Sequence, residues 1–208
     1  MAQRIFDITP PISPRLGVWP GDTPASREVL LEIEKGATVT LSTLRATVHL
    51  GAHADAPNHY VSPGVAIEQR SLDFYLGPCQ VIRANVPRGH RVIPAMLAAV
   101  PRLPRVLLHT GTFADPTNWN NDFAALSPEL VDHLHERGVR LIGIDTPSVD
   151  LMDDKLLLAH QRIASHDMAI LEGIVLCDVP DGDYELIALP LPLVGFDASP
   201  VRAVLRTL

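Results

Sequence analysis

The stretch Ser127-Pro128-Glu129-Leu130-Val131-Asp132-His133-Leu134-His135-Glu136-Arg137-Gly138-Val139-Arg140-Leu141-Ile142-Gly143-Ile144-Asp145 decides the fold class. Ser127 suits a helix N-cap, because its hydroxyl can accept from a backbone N–H that the first turn leaves free. Pro128 suits the first helical position, where the missing N–H costs nothing. Gly138 closes the helix, and Val139–Asp145 reads as a strand. Upstream, Arg105-Val-Leu-Leu-His-Thr110 reads as a buried strand. Strand, crossover helix and strand make a βαβ unit, the building block of parallel sheet.

Working outward, strands are expected over 37–50, 79–86, Gly173–Cys177 and Tyr184–Leu189. Pro94–Val100 reads as a short helix begun by proline, and Leu151–Ser165 as a longer one. The prolines at 10, 11, 14, 20 and 24 give an ordered, winding N-terminal segment, with a turn at Gly17–Thr23 that carries Trp19 on its edge. The expectation is an α/β protein with a mixed sheet, forming one domain over residues 1–208.

The net charge of −7 and the scatter of the 17 basic residues argue against nucleic acid as a partner. Cys79 and Cys177 share no C-x-x-C spacing, which favours a reducing compartment. The N-terminus has no apolar run of signal length, and the apolar segment Leu186–Phe196 is short and broken by Pro190 and Pro192. A soluble, cytoplasmic protein with no membrane partner is expected.

Chemistry concentrates in His49-Leu50-Gly51-Ala52-His53-Ala54-Asp55-Ala56-Pro57-Asn58-His59. The notable residues fall on odd positions, so an extended backbone would turn them all to one face. A straight strand would hold His49 and His53 about 13 Å apart, near the limit for sharing one ion, and Gly51 is the residue able to bend it. His59 would lie roughly 33 Å from His49 in a straight strand, so it needs the turn that Pro57-Asn58 can supply. Two imidazoles and a carboxylate suit zinc, manganese or iron, and three protein ligands leave room for water. A set of hydrogen-bonded loop residues is the competing reading. His160 and Glu172, with His166 and Asp167 between them, form a possible second ligand group. Asp55 or Glu172 could then bridge two ions.

This histidine run is similar to the HxGxHxDxPxH signature of the cyclase-type metal-dependent hydrolases. Val18-Trp-Pro-Gly-Asp-Thr-Pro24, Gly143-Ile-Asp-Thr-Pro-Ser-Val-Asp150, Ile170-Leu-Glu-Gly-Ile174 and Tyr184-Glu-Leu-Ile-Ala-Leu-Pro-Leu191 extend the likeness nearly end to end. Within that family the chain resembles the bacterial kynurenine formamidase (arylformamidase) branch, to which Trp19 in its Trp-Pro-Gly-Asp setting points. The resemblance implies a barrel-like core flanked by helices, of the swivelling β/β/α type. It implies two divalent ions per subunit, with Zn²⁺ the first choice. His49, His53 and Asp55 would hold one, and Asp55, His160 and Glu172 the other. It further implies His59 as catalytic acid/base, Trp19 in the substrate pocket, and a homodimer. The implied reaction is hydrolysis of N-formyl-L-kynurenine to L-kynurenine and formate in tryptophan degradation. The alternative is a related enzyme acting on isatin or another aryl amide. His59 has a competing role as a spare metal ligand, and Trp19 as a turn-anchoring core residue. Arg45 is a weaker candidate for the substrate's amino-acid end.

Overall fold

The computed structural model describes residues 3–208. Its first strands are β1 (Ile5–Asp7), β2 (Ser26–Leu31), β3 (Leu41–Arg45), β4 (His53–Asp55) and β5 (Leu76–Arg83). Then come β6 (Arg91–Val92), β7 (Arg105–His109), β8 (Ala125–Leu126), the helix α1 (Pro128–Glu136) and β9 (Leu141–Ile144). The chain finishes with α2 (Leu158–Ser165), β10 (Ala169–Glu172), β11 (Gly182–Ile187), β12 (Ala198–Pro200) and β13 (Val204–Thr207).

The βαβ unit forms as its residues dictate. The Ser127 hydroxyl accepts from the Leu130 N–H at 3.0 Å, Pro128 takes the first turn, and Gly138 follows the helix at φ +79°. β7 and β9 pair in parallel, with Val106 opposite Ile142. β5 and β10 extend this parallel block on either side. Antiparallel strands complete a nine-stranded mixed sheet in the order β1-β13-β11-β5-β7-β9-β10-β4-β12.

Alternation along the central strands sorts two cores. Val106, Leu108, Ile142, Ile144 and Ile170 face one side, where Leu130 and Leu134 of α1 and Ala159 and Ile163 of α2 cover them. Leu107, Leu141 and Leu171 face the other side and pack with Phe6, Ala54, Tyr184 and Leu205. Those four residues belong to outer strands of the same sheet, so the sheet curls over its own core. The α/β class and the mixed, barrel-like sheet are as expected. Among the described residues, no helix is long and apolar enough to cross a membrane.

Several boundaries differ from the sequence expectations. No strand forms over Gly173–Cys177, where one was expected: the strand of this region is β10, which ends at Glu172 because Gly173 turns at φ +65°. The helix expected from Leu151 starts only at Leu158. The Asp154 carboxylate collects the N–H groups of Leu156, Leu157 and Leu158, and Leu157 sits at φ +50°, which holds the preceding chain irregular. Pro94–Val100 yields a single 3-10 turn, Pro94–Met96. The strand over 37–50 narrows to β3, that over 79–86 begins earlier as β5, and that over Tyr184–Leu189 is β11. β3 does not join the main sheet. It pairs with β2 in a separate ribbon whose residues are all exposed.

Candidate metal centre

β4 lies between β10 and β12, and this placement assembles the site. The β4–β10 register sets Glu172 directly opposite His53, with His53 Nε2 3.3 Å from Glu172 Oε2. Upstream of β4, Gly51 takes φ +57°, the left-handed conformation that glycine adopts without steric cost. Gly51 and Gly173 pass so closely that a Cβ on Gly173 would lie 2.2 Å from the Gly51 carbonyl oxygen. The bend at Gly51 brings His49 back, so that its Nδ1 lies 3.1 Å from Asp55 Oδ1. Downstream, the 3-10 turn Pro57–His59 folds His59 over the same place, with its ring centroid 4.3 Å from that of His49. The extended-then-turned reading of the run therefore holds, although only His53–Asp55 is regular strand.

His160 enters from the first turn of α2. The Asp150 carboxylate accepts from the backbone N–H groups of Ala159 and His160 and pairs with His160 Nδ1 at 2.8 Å. That contact turns His160 Nε2 inward, 3.4 Å from Asp55 Oδ2 and 3.7 Å from Glu172 Oε1. The other two histidines are fixed the same way. His53 Nδ1 meets the Gly51 carbonyl at 2.9 Å, and His49 Nε2 meets Asp197 Oδ2 at 3.0 Å. Each ring thus spends one nitrogen on a protein acceptor and aims the other at a shared space, the pattern by which proteins orient metal-binding imidazoles.

The shared space is where a cation fits. His53, Asp55, His160 and Glu172 are buried. His53 Nε2, His160 Nε2 and both carboxylate oxygens of Asp55 have no hydrogen-bond partner. Orphaned buried polar atoms cost free energy, and a clustered set of them facing one space suits a bound positive charge. The nitrogen and oxygen donors suit a borderline divalent ion such as zinc. His49, His53 and Asp55 form one group with ligand atoms within 4.8 Å of one another, and Asp55, His59 and His160 form another.

Electrostatics carry the same message. Burial opposes charge on His49, yet the Asp55 and Asp197 carboxylates outweigh it and raise its pKa to about 9. For His160, burial is likewise outweighed by Asp150 and Asp55, and the pKa rises to about 10. Asp55 is held well below its ordinary value: burial pushes it up, but His160 and His49 prevail. The cluster draws in positive charge, as protons or as a metal ion. His59 moves the other way. Burial lowers its pKa, and the neighbouring His49 and His160 reinforce the shift against the pull of Asp55.

Above this floor lies a cavity of about 320 Å³. Trp19, Phe113 and Trp119 form an aromatic wall, with Trp19 and Trp119 edge to face at 5.7 Å. Trp19 is 37% exposed, so it lies at the rim of the cavity and not in the core. The structure leaves other candidates elsewhere. Arg45 lies on the exposed β3, outside the cavity lining. His166 pairs with Asp132 at 2.7 Å and stacks on His135, and Asp167 pairs with Arg70.

Sequence reasoning gave no role to Asp150, Asp197, Phe113 or Trp119. Asp150 carried a signal, since an acidic residue shortly before a helix that bears a ligand histidine can serve both cap and imidazole. Asp197 and the aromatic wall carried none, because tertiary folding alone brings them to the site.

Solved structures share this fold. A protein described as a potential metal-dependent hydrolase with cyclase activity superposes with a TM-score of 0.84 at 27% identity, covering 100% of this chain and 99% of that one. A predicted metal-dependent hydrolase from Bacillus stearothermophilus gives 0.83 at 27% identity, with 100% of both chains covered. Isatin hydrolase A from Labrenzia aggregata gives 0.82 at 21% identity, covering 99% and 94%, a likeness of fold alone. The Cyclase family model matches residues 6–151, well over half of the sequence. The chain belongs to the cyclase family.

Proposed function

We propose that the protein hydrolyses aryl amides and that its substrate is N-formyl-L-kynurenine, split into L-kynurenine and formate. The observation that carries this reading is the convergence of unpartnered ligand atoms from His53, Asp55 and His160 beneath an aromatic-walled cavity. His49, His53 and Asp55 would hold one divalent ion. Asp55, His160 and Glu172 would hold a second, with Asp55 and Glu172 shared. Zinc bound there supplies Lewis acidity and a water whose proton is lost near neutral pH.

The remaining work falls to the protein. Trp19, Phe113 and Trp119 take the aryl ring and exclude water from around it. His59, kept neutral at working pH by its burial, accepts a proton from the attacking water. It returns that proton to the aniline nitrogen as the C–N bond breaks. One water is consumed, and one amine and one formic acid leave, the acid ionising to formate.

A second reading keeps every residue in place and exchanges the substrate for a cyclic aryl amide such as isatin, on which a protein of the same fold acts. The test is hydrolysis of both compounds before chelation, after chelation and after zinc is restored. Formyl-kynurenine turnover that vanishes and returns is the expected result. Turnover of isatin alone would replace the first reading with the second. Turnover indifferent to chelator would overturn both.

We also propose a homodimer. A two-stranded ribbon is marginal alone, and β2–β3 exposes Leu30, Leu31, Leu41 and Leu44. Light scattering should give twice the chain mass. A monomer at micromolar concentration would contradict it.

A further inference from the structure

We propose that Asp197 is a positioning residue that locks the acid–base histidine His59 and the candidate ligand His49 into one geometry. The proposal rests on the hydrolase reading above.

Asp197 lies outside the histidine run and comes from a distant part of the chain. It immediately precedes β12, the strand that flanks β4. Its backbone is pinned on both sides of the site. The Asp197 carbonyl accepts from the Ala56 N–H at 2.9 Å, and the Phe196 carbonyl accepts from the Ile67 N–H at 3.0 Å. Ala56 precedes the turn that carries His59, so main-chain bonds set the distance between carboxylate and imidazole.

One oxygen hydrogen-bonds His49 and lies within ion-pair distance of His59. Asp197 Oδ2 lies 3.0 Å from His49 Nε2 and 3.5 Å from His59 Nδ1. A carboxylate oxygen has the lone pairs to accept from two donors. With Nε2–H of His49 donated to Asp197, His49 presents Nδ1 to Asp55. With Nδ1–H of His59 turned to the same oxygen, Nε2 is the nitrogen left for the cavity. A base oriented by a third group is a recurrent arrangement in hydrolytic sites. Here the third group also holds a candidate metal ligand, so the proton-transfer residue and the ion site share one anchor.

Asp197→Asn and Asp197→Glu test this. Zinc content and affinity are read by competition with a chromophoric chelator, and kcat and KM are read separately at saturating zinc. Asp197→Asn should keep the full metal complement while zinc affinity falls by about 10-fold. Its kcat should fall about 100-fold with KM nearly constant. Asp197→Glu should recover part of the lost kcat. An unchanged kcat would overturn the proposal. A loss seen at limiting zinc but absent at saturating zinc would overturn it too, leaving Asp197 a support for metal alone. Loss of a whole metal equivalent would make Asp197 a ligand instead, since His49, His59 and Asp197 also converge within 4.8 Å. Failure of the hydrolase reading looks different: the wild-type protein would split no aryl amide, while the zinc-affinity comparison would still report on the Asp197–His49 contact.

Discussion

His49, His53, Asp55 and His59 come from eleven consecutive residues, whereas His160 and Glu172 arrive from α2 and β10. The first group is shaped by local backbone: a left-handed glycine at 51, a short strand, and a proline-started turn. The second is shaped by sheet order, because β10 pairs with β4 and sets Glu172 against His53. The local group can be drawn from spacing. The distant group exists only once the curled sheet has formed. The near group should therefore supply the first ion position and the proton-transfer residue His59, and the far group the second ion position.

The sharpest way to break this division is His59→Ala. Metal content should stay intact while kcat falls by roughly 10²–10⁴, the range for a lost general acid/base. Parallel loss of metal, seen by elemental analysis, would make His59 a ligand and erase the distinction.

Asp150→Asn probes the far group. Asp150 holds His160 through its Nδ1 and is itself gripped by Arg91 at 2.8 Å. Zinc affinity should drop about 10–100-fold, as for other lost partners of ligand imidazoles. An affinity equal to wild type would mean that α2 alone orients His160.

Trp19→Ala should act on binding and leave the ions untouched. Aromatic pairing contributes about 0.5–1.5 kcal/mol beyond buried area, so KM for the aryl formamide should rise a few-fold at nearly constant kcat. A collapse of kcat would place Trp19 at the reacting centre.

The smallest effect concerns the chelated protein. His49 and His160 carry pKa values raised from 6.5 to about 9 and about 10. A raised imidazole pKa contributes stability that is complete below the unfolded value of 6.5 and disappears as pH rises through the folded value. Chelated protein should thus melt at a lower temperature at pH 10 than at pH 7. Zinc-loaded protein should show a weaker dependence, because the ion replaces those protons. Equal slopes in thermal melts would contradict the charge assignment.

The same division explains what the sequence made legible. α1 and the strands around it were readable because Ser127, Pro128 and Gly138 act on their own neighbours. The ligand run was readable because period-two spacing on an extended chain is a local property. β10 was misplaced because Gly173 was read as the opening of a strand, while its close approach to Gly51 makes it the end of one. β1, β12 and β13 are three or four residues long, too short for a periodic signal. Asp197 was invisible for the same reason as the aromatic wall: its partner, His59, is brought to it by the pairing of β12 with β4.

The most direct test of the central claim is calorimetric titration of zinc into chelated protein, alongside Asp55→Asn. Asp55 offers both its oxygens to the shared space and is common to both proposed ion positions. The account predicts about two zinc equivalents for the wild type and loss of tight binding at both positions in the variant. A wild-type protein that takes up no zinc, or a variant that binds as the wild type does, would contradict it.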